Sequence, residues 1–232
     1  MPNVLPVGEV IAKITPKVAN RFGLTSDTVI CAGTIDSVAA FLAGAPLEEG
    51  VAVTSLGSTL AVKMLVRKRV DEPEIGLYAH RISDYWLVGG ASNTGGAVLL
   101  KYFTPDEMTA LSALIDPYKH TYLSYYPLLT LGERFPINDP ALAPNLTPHP
   151  PEDHLLLQGM FEGIAEIESR CHTAIADRAG ITPSRIFSAD GGASNHVWTK
   201  IRSKILGLPL KKAKFSEAGI GAAKIAQLHE TY

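Results

Sequence analysis

Residues 51–66 read VAVTSLGSTLAVKMLV: an apolar, β-branched run from Val51 to Leu56, the pair Gly57-Ser58, and a second run from Thr59 to Val66. Two such runs joined by a two-residue glycine turn predict a hairpin. Residues 77–82 and 85–88 continue the strand character around Ser83-Asp84, and then the period changes. Ala97, Leu99, Leu100 and Phe103 predict a helix after Gly95-Gly96, and Thr104-Pro105-Asp106-Glu107 carries the cap, proline and acidic first turn of another. From Leu155 to Ile175 apolar residues recur at three and four, which predicts a long core-facing helix over 152–178 that stops at Gly180. A strand over 185–189, a helix over 197–206 closed by Gly207, a strand over 208–212 and a last helix over 217–228 complete the order. The expectation is a mixed α/β domain: strands in a meander, then helix, strand, helix, strand, helix.

Upstream, residues 1–27 hold Pro2, Pro6, Gly8 and Pro16, with a short amphipathic piece over 10–22. Residues 28–33 have the pattern of a buried strand and residues 36–43 that of a helix after a tight turn, so Asp36 falls at a strand-to-helix junction. Residues 116–151 are crowded with proline from Pro117 to Pro151 and predict a long surface excursion, a lid or a packing loop.

The 232 residues, 46% hydrophobic and 19% charged, are enough to bury a real core without disulfide staples. With 21 Lys plus Arg against 23 Asp plus Glu the chain lacks the basic excess that nucleic-acid binding uses, so no nucleic-acid partner is expected. Cys31 and Cys171 form no C-x-x-C pair, which points to a reducing compartment. No apolar stretch approaches the roughly 18 to 20 residues of a membrane helix. The start lacks the regions of a signal peptide. A cytoplasmic protein with no membrane partner is expected.

Glycines beside small hydroxyl or amide residues at strand ends let backbone N–H groups approach an anion, and a helix N-terminus adds partial positive charge. Four segments have that make-up. Residues 31–37 place Asp36 where a carboxylate can take a proton from a hydroxyl that attacks phosphorus; a simple helix cap is the plainer reading. Thr54-Ser55-Leu56-Gly57-Ser58-Thr59 can wrap the β and γ phosphates through amides and hydroxyls, or be an ordinary hairpin turn. Residues 89–93 and 191–195 are both Gly-Gly-Ala-Ser-Asn. Both come after strand-like runs and precede helices, the placement of loops lining one ligand crevice; coincidence among common residues is the alternative. In the second copy Asn195 can bond a ribose or base, and Trp198 either offers a face to adenine or packs in the core. The seven histidines form no H-x-x-x-H or His/Cys cluster, so no protein-bound metal is expected. A G-x-x-x-x-G-K-[ST] loop, an H-R-D or D-F-G set and a G-x-S-x-G elbow are all absent from the sequence.

Gly33-Thr34-Ile35-Asp36-Ser37, then Thr54 to Thr59, then residues 89–99, then Asp190-Gly191-Gly192-Ala193-Ser194-Asn195-His196-Val197-Trp198 resemble the FGGY carbohydrate kinases in order and spacing over nearly the whole chain. Gly132-Glu133-Arg134-Phe135-Pro136-Ile137-Asn138-Asp139-Pro140 is similar to the xylulokinase-like and D-ribulose kinase-like branch. The element order resembles the RNase H-like half-domain of actin, Hsp70 and sugar-kinase ATPases. The resemblance implies ATP-dependent phosphorylation of a sugar hydroxyl, a pentulose such as D-ribulose or D-xylulose, with ATP and Mg2+ as cofactors in a cleft between two actin-like domains. It places Asp36 at the family's general base, in contact with the sugar. It matches Gly57, Ser58 and Thr59 to the phosphate loop, Gly95 to a stretch approaching the nucleotide, and Gly191, Gly192 and Asn195 to the adenosine segment, with Trp198 alongside.

Two departures stand out. The family opens with D-x-G-T, which supplies the magnesium aspartate and does not occur here, and Lys200 stands where many relatives carry glutamine. The resemblance therefore implies that residues 1–44 end an amino-terminal domain and residues 45–232 form the carboxy-terminal ATPase domain, with the last helix over 216–228 packing on the missing part. An amino-terminal kinase half is the implied partner, and negligible turnover is expected without it. The alternative is a non-catalytic nucleotide-binding or assembly module derived from a sugar kinase.

Overall fold

A computed structural model describes residues 3–227; Met1, Pro2 and Leu228, the last of which closes the expected final helix, lie outside the described residues. β1 (Val10–Lys13) and β2 (Val29–Cys31) pair antiparallel around α1 (Pro16–Phe22), and α2 (Asp36–Gly44) leads into the rest of the chain. The later elements are β3 (Val51–Leu56), β4 (Leu60–Val66), β5 (Tyr78–Ile82), β6 (Tyr85–Ser92), α3 (Gly96–Leu100), α4 (Pro105–Ser112), α5 (Asp153–Ala179), β7 (Arg185–Ala189), α6 (His196–Leu206), β8 (Leu210–Lys212) and α7 (Ala218–Gln227). The six later strands make one mixed sheet in the order β5-β6-β4-β3-β7-β8, antiparallel from β5 to β3 and parallel from β3 through β7 to β8.

β3 and β4 read as continuous apolar runs because both faces of the sheet are covered. On one face Leu56, Leu60, Val62 and Met64 pack with Leu157, Met160, Phe161 and Ile164 of α5, whose three-and-four spacing makes that helix stripe. On the other, Val51, Val53 and Leu65 pack with Val38, Phe41 and Leu42 of α2 and Ile225 of α7. Each fully buried side chain of this size contributes about 1.5–3 kcal/mol, so these two layers hold the elements that carry the site. Thr104 caps α4 as expected, and the structure adds a reciprocal capping box: Glu107 N–H donates to Thr104 Oγ1 and Thr104 N–H to Glu107 Oε2.

Several expectations change in the folded chain. The amphipathic piece over 10–22 divides into β1 and α1, because Pro16 suits the first turn of a helix and keeps Thr15 before it extended. β2 is shorter than residues 28–33 and is not buried: Ile30 is 46% exposed, and the strand pairs with β1 outside the main sheet. The strands are not a sequential meander, since β6 pairs with β4 and leaves β5 at the edge. β6 also runs on to Ser92, which takes residues 89–92 into the strand. Within residues 116–151 only isolated bridges occur, yet Tyr125, Leu128 and Phe135 are buried, so the excursion is a packing loop. α7 lies against α2, inside residues 1–44.

Candidate active site

Parallel pairing of β3 with β7 sets Ser55 beside Ala189, so the two strands end together. The turns beyond them therefore emerge side by side: the hairpin turn after Leu56 and a short 3-10 turn, Gly191–Ala193, after Asp190. Between these turns and α3, α4 and α6 lies a cavity of about 660 Å³. Gly57, Ser58, Gly191, Gly192, Asn195 and Trp198 line it together with apolar walls from Leu56, Met108, Phe161 and Val197. The hairpin turn is held from behind, since Gly96 N–H donates to Gly57 O at 2.8 Å and Ala97 N–H to Ser58 O at 3.1 Å.

The eight candidate nucleotide residues do not all face this space. Gly95 and Thr59 pack together behind the turn: Gly95 has a φ of +149°, and a Cβ there would lie 2.6 Å from both Ser58 O and Thr59 Cα. A Cβ on Gly191 would meet nothing within 4 Å, whereas one on Gly192 would lie 2.4 Å from Leu56 Cδ2. Gly191 thus offers open backbone, and Gly192 lets the turn sit on β3. Asn195 caps α6 through its side-chain oxygen, which accepts from Trp198 N–H at 3.0 Å, while its Nδ2 donates to Ser112 Oγ at 2.9 Å. It ties α4 to α6 across the cavity floor. Trp198 is 4% exposed, stacks on Phe161 at a centroid distance of 4.6 Å and donates from Nε1 to Phe161 O. Of the two roles open to this tryptophan, the geometry favours core packing.

The first Gly-Gly-Ala-Ser-Asn copy is not a ligand loop, because β4 continues to pair with β6 as far as Leu60 and Ser92. A Cβ on Gly90 would fall 2.5 Å from the Phe135 ring, and Ser92 Oγ and Asn93 N–H donate to the buried Glu133 carboxylate at 2.6 and 2.7 Å. Arg134 Nε donates to Asn93 Oδ1 at 2.6 Å. This copy clamps the 116–151 loop to the sheet. Burial and the adjacent Glu133 carboxylate push the Tyr126 hydroxyl above its ordinary range.

Asp36 is exposed in the first turn of α2, where Oδ1 accepts from Ser37 N–H at 2.6 Å. Near it, on the α2 face of the sheet, a small pocket of about 110 Å³ is lined by Ser37, Ser55, Lys63 and Asp190 among others. Sequence reasoning missed Lys63 and Asp190. Ser55 Oγ donates to Asp190 Oδ2, and Asp190 adopts a φ of +65° as the chain leaves β7. The signal that could have found it is the residue ahead of each repeat: Val88 before the first copy and Asp190 before the second.

Behind the turns a buried network joins α5 and α6 to β3 and β7. Arg202 donates to both Glu168 oxygens at 2.6 and 2.8 Å and to Ser188 Oγ at 2.8 Å. Burial pushes the Glu168 carboxyl up, yet the Arg202 guanidinium holds it below its ordinary value. Thr54 Oγ1 meets His172 Nε2 at 3.2 Å, and burial lowers that imidazole to about 4, so it is neutral at pH 7.

A family model described as the C-terminal domain of the FGGY family of carbohydrate kinases matches residues 52–229. A gluconokinase of Bacillus subtilis is 23% identical over 222 residues, covering 87% of this chain and 43% of its own length. A xylulose kinase of Staphylococcus epidermidis is 23% identical over 239 residues, covering 93% of this chain and 45% of its own. The chain thus spans less than half the length of these curated relatives. Among solved structures, a "xyloylose kinase" from Brucella ovis superposes with a TM-score of 0.88 at 22% identity, over 100% of this chain and 49% of that one. A gluconate kinase from Lactobacillus acidophilus gives 0.85 at 18%, over 99% and 49%. The fold is the RNase H-like architecture shared by actin, Hsp70 and sugar-kinase ATPases.

Proposed function

Because this chain belongs to the FGGY family of carbohydrate kinases, through its C-terminal domain, we propose that it carries the nucleotide side of an ATP-dependent sugar kinase. The observation that carries the reading is the convergence of Gly57, Ser58 and Gly191 on one cavity at the ends of neighbouring parallel strands. A cavity of about 660 Å³ with apolar walls suits a purine, and the open backbone at Gly191 and the hairpin turn suits phosphates. Asn195 keeps α4 and α6 in place around the base, since both of its polar ends are engaged.

Asp36 is the general base. Its carboxylate takes the proton of an acceptor hydroxyl as that oxygen bonds the γ-phosphorus and the bond to the bridging oxygen breaks, releasing ADP. Magnesium supplies charge neutralisation on the triphosphate. Its protein carboxylate would come from the D-x-G-T of an amino-terminal half, a motif that does not occur in residues 1–232. The acceptor is a ketopentose such as D-ribulose or D-xylulose, with gluconate as the competing class, and this chain alone turns over negligibly.

The test is ATP consumption over ketopentoses, polyols and gluconate, by this chain alone and joined to an FGGY amino-terminal half, with Asp36→Asn beside it. Phosphorylation of a sugar only by the joined protein, with loss in Asp36→Asn, is the expected result. ATP binding without phosphorylation of any acceptor by the joined protein would instead identify a non-catalytic nucleotide module.

A further inference from the structure

β4 is apolar except at Lys63, and this lysine is buried with the strand, only 7% exposed, while Ala61 is partly exposed. Burying an ammonium is costly unless its charge and hydrogen bonds are matched. Gly89 stands directly opposite on β6, where a Cβ would fall 2.1 Å from Val62 O and 2.9 Å from both Lys63 Cα and Cγ, so the two strands approach closely at this position. Nζ reaches the 110 Å³ pocket and donates to Ser37 Oγ at 2.8 Å. The groups around it are Asp36 and Ser37 of α2, Ser55 of β3, His80 of β5, Asp190 after β7 and Ser216 ahead of α7.

We propose that Lys63 is the positioning residue for Asp36: from the sheet its ammonium pins the first turn of α2 through Ser37, the residue next to the carboxylate. The inference rests on the kinase reading for what Asp36 does, and deepens it by naming what holds the base in place. Asp36 itself is exposed, and its carboxylate accepts from the adjacent Ser37 N–H, so its own helix end gives it little restraint. The β3–β4 hairpin supplies that restraint. Its turn, Gly57-Ser58, faces the nucleotide cavity, and Lys63, on its second strand, grips the helix that carries the base. One hairpin therefore sets the spacing between the base and the phosphate. Burial lowers the Lys63 ammonium to about 8 while the Asp36 carboxylate acts to hold it up, so the cation persists at neutral pH and is lost above about pH 8.

Two measurements test this. The first needs no turnover: the Lys63 amine is titrated by NMR in this chain, where a midpoint near 8 is expected that falls in Asp36→Asn, because the opposing carboxylate has gone. An unmoved midpoint overturns the coupling of Lys63 to the carboxylate, whatever Asp36 does in catalysis. The second uses the sugar kinase containing this chain. Lys63→Met is expected to lower kcat roughly 100-fold, the cost of a misplaced catalytic group, with KM for ATP within about twofold of wild type. Lys63→Ala should regain activity with added ethylammonium. Activity lost in Asp36→Asn but unchanged in Lys63→Met overturns the positioning role alone; full activity in Asp36→Asn overturns the base assignment and with it this inference. An amine that restores nothing to a folded Lys63→Ala protein overturns the proposal as well.

Discussion

Two stretches of this molecule, residues 89–93 and 191–195, have the same five side chains and opposite employment. The first lies in β6 and its end, with Gly90 under the Phe135 ring and Ser92 and Asn93 bonded to Glu133. The second leaves β7 in a 3-10 turn, with Gly191 open to the cavity and Asn195 capping α6. The glycine pair inside the strand admits close neighbours at both positions, whereas past the strand end Gly191 leaves its backbone open to the cavity and Gly192 seats the turn on Leu56. Composition cannot tell these apart; the extent of pairing can.

A matched pair of valines puts this contrast under the greatest stress. Gly90→Val should cost about 3 kcal/mol or more in urea unfolding, since the new carbon overlaps Phe135 and Gly76 O. Gly191→Val should leave stability within about 0.5 kcal/mol, and ATP affinity measured by calorimetry should fall at least about tenfold. Equal destabilisation by the two would erase the distinction. Next in size is a pH effect confined to the layer behind the second copy. His172 binds its proton at about 4 when folded against 6.5 ordinarily, so the unfolded chain takes up protons first. Stability should be intact above about pH 6.5 and fall by something on the order of 3 kcal/mol as pH drops toward 4, and His172→Asn should flatten that slope.

Glu133→Gln probes the clamp at the first copy. The carboxylate accepts from Ser92 Oγ, Asn93 N–H, Tyr126 OH and Arg134 N–H, so an amide there leaves donors facing donors. About 2 kcal/mol should be lost with ATP affinity unchanged; a large loss of affinity would mean that the clamp also serves the cavity. The smallest effect belongs to Asn195→Ala, about 1 kcal/mol from the lost cap, with a few-fold weaker nucleotide binding as α4 loosens from α6.

Much of this architecture is legible in local sequence. The β3–β4 hairpin, whose loop is the three residues 57–59 where two were expected, the cap at Thr104, and the stop of α5 at Gly180 and of α6 at Gly207 depend on residues a few positions apart. Lys63 was not legible, because one cation in an apolar strand looks like a residue on a solvated face until β6 and α2 close over it. Asp190 was hidden for a related reason: its partner Ser55 is 135 positions away.

The order of strands and helices, the hairpin turn and the resemblance to sugar kinases were written in the chain itself, since periodicity, turn residues and caps act over one or two turns of backbone. Which glycine pair meets the cavity, where the buried lysine points and which side chains merely pack were decided only on folding. Those outcomes depend on the pairing of strands and the packing of helices far apart in sequence, and burial and hydrogen-bond matching are then imposed by neighbours that no local window contains.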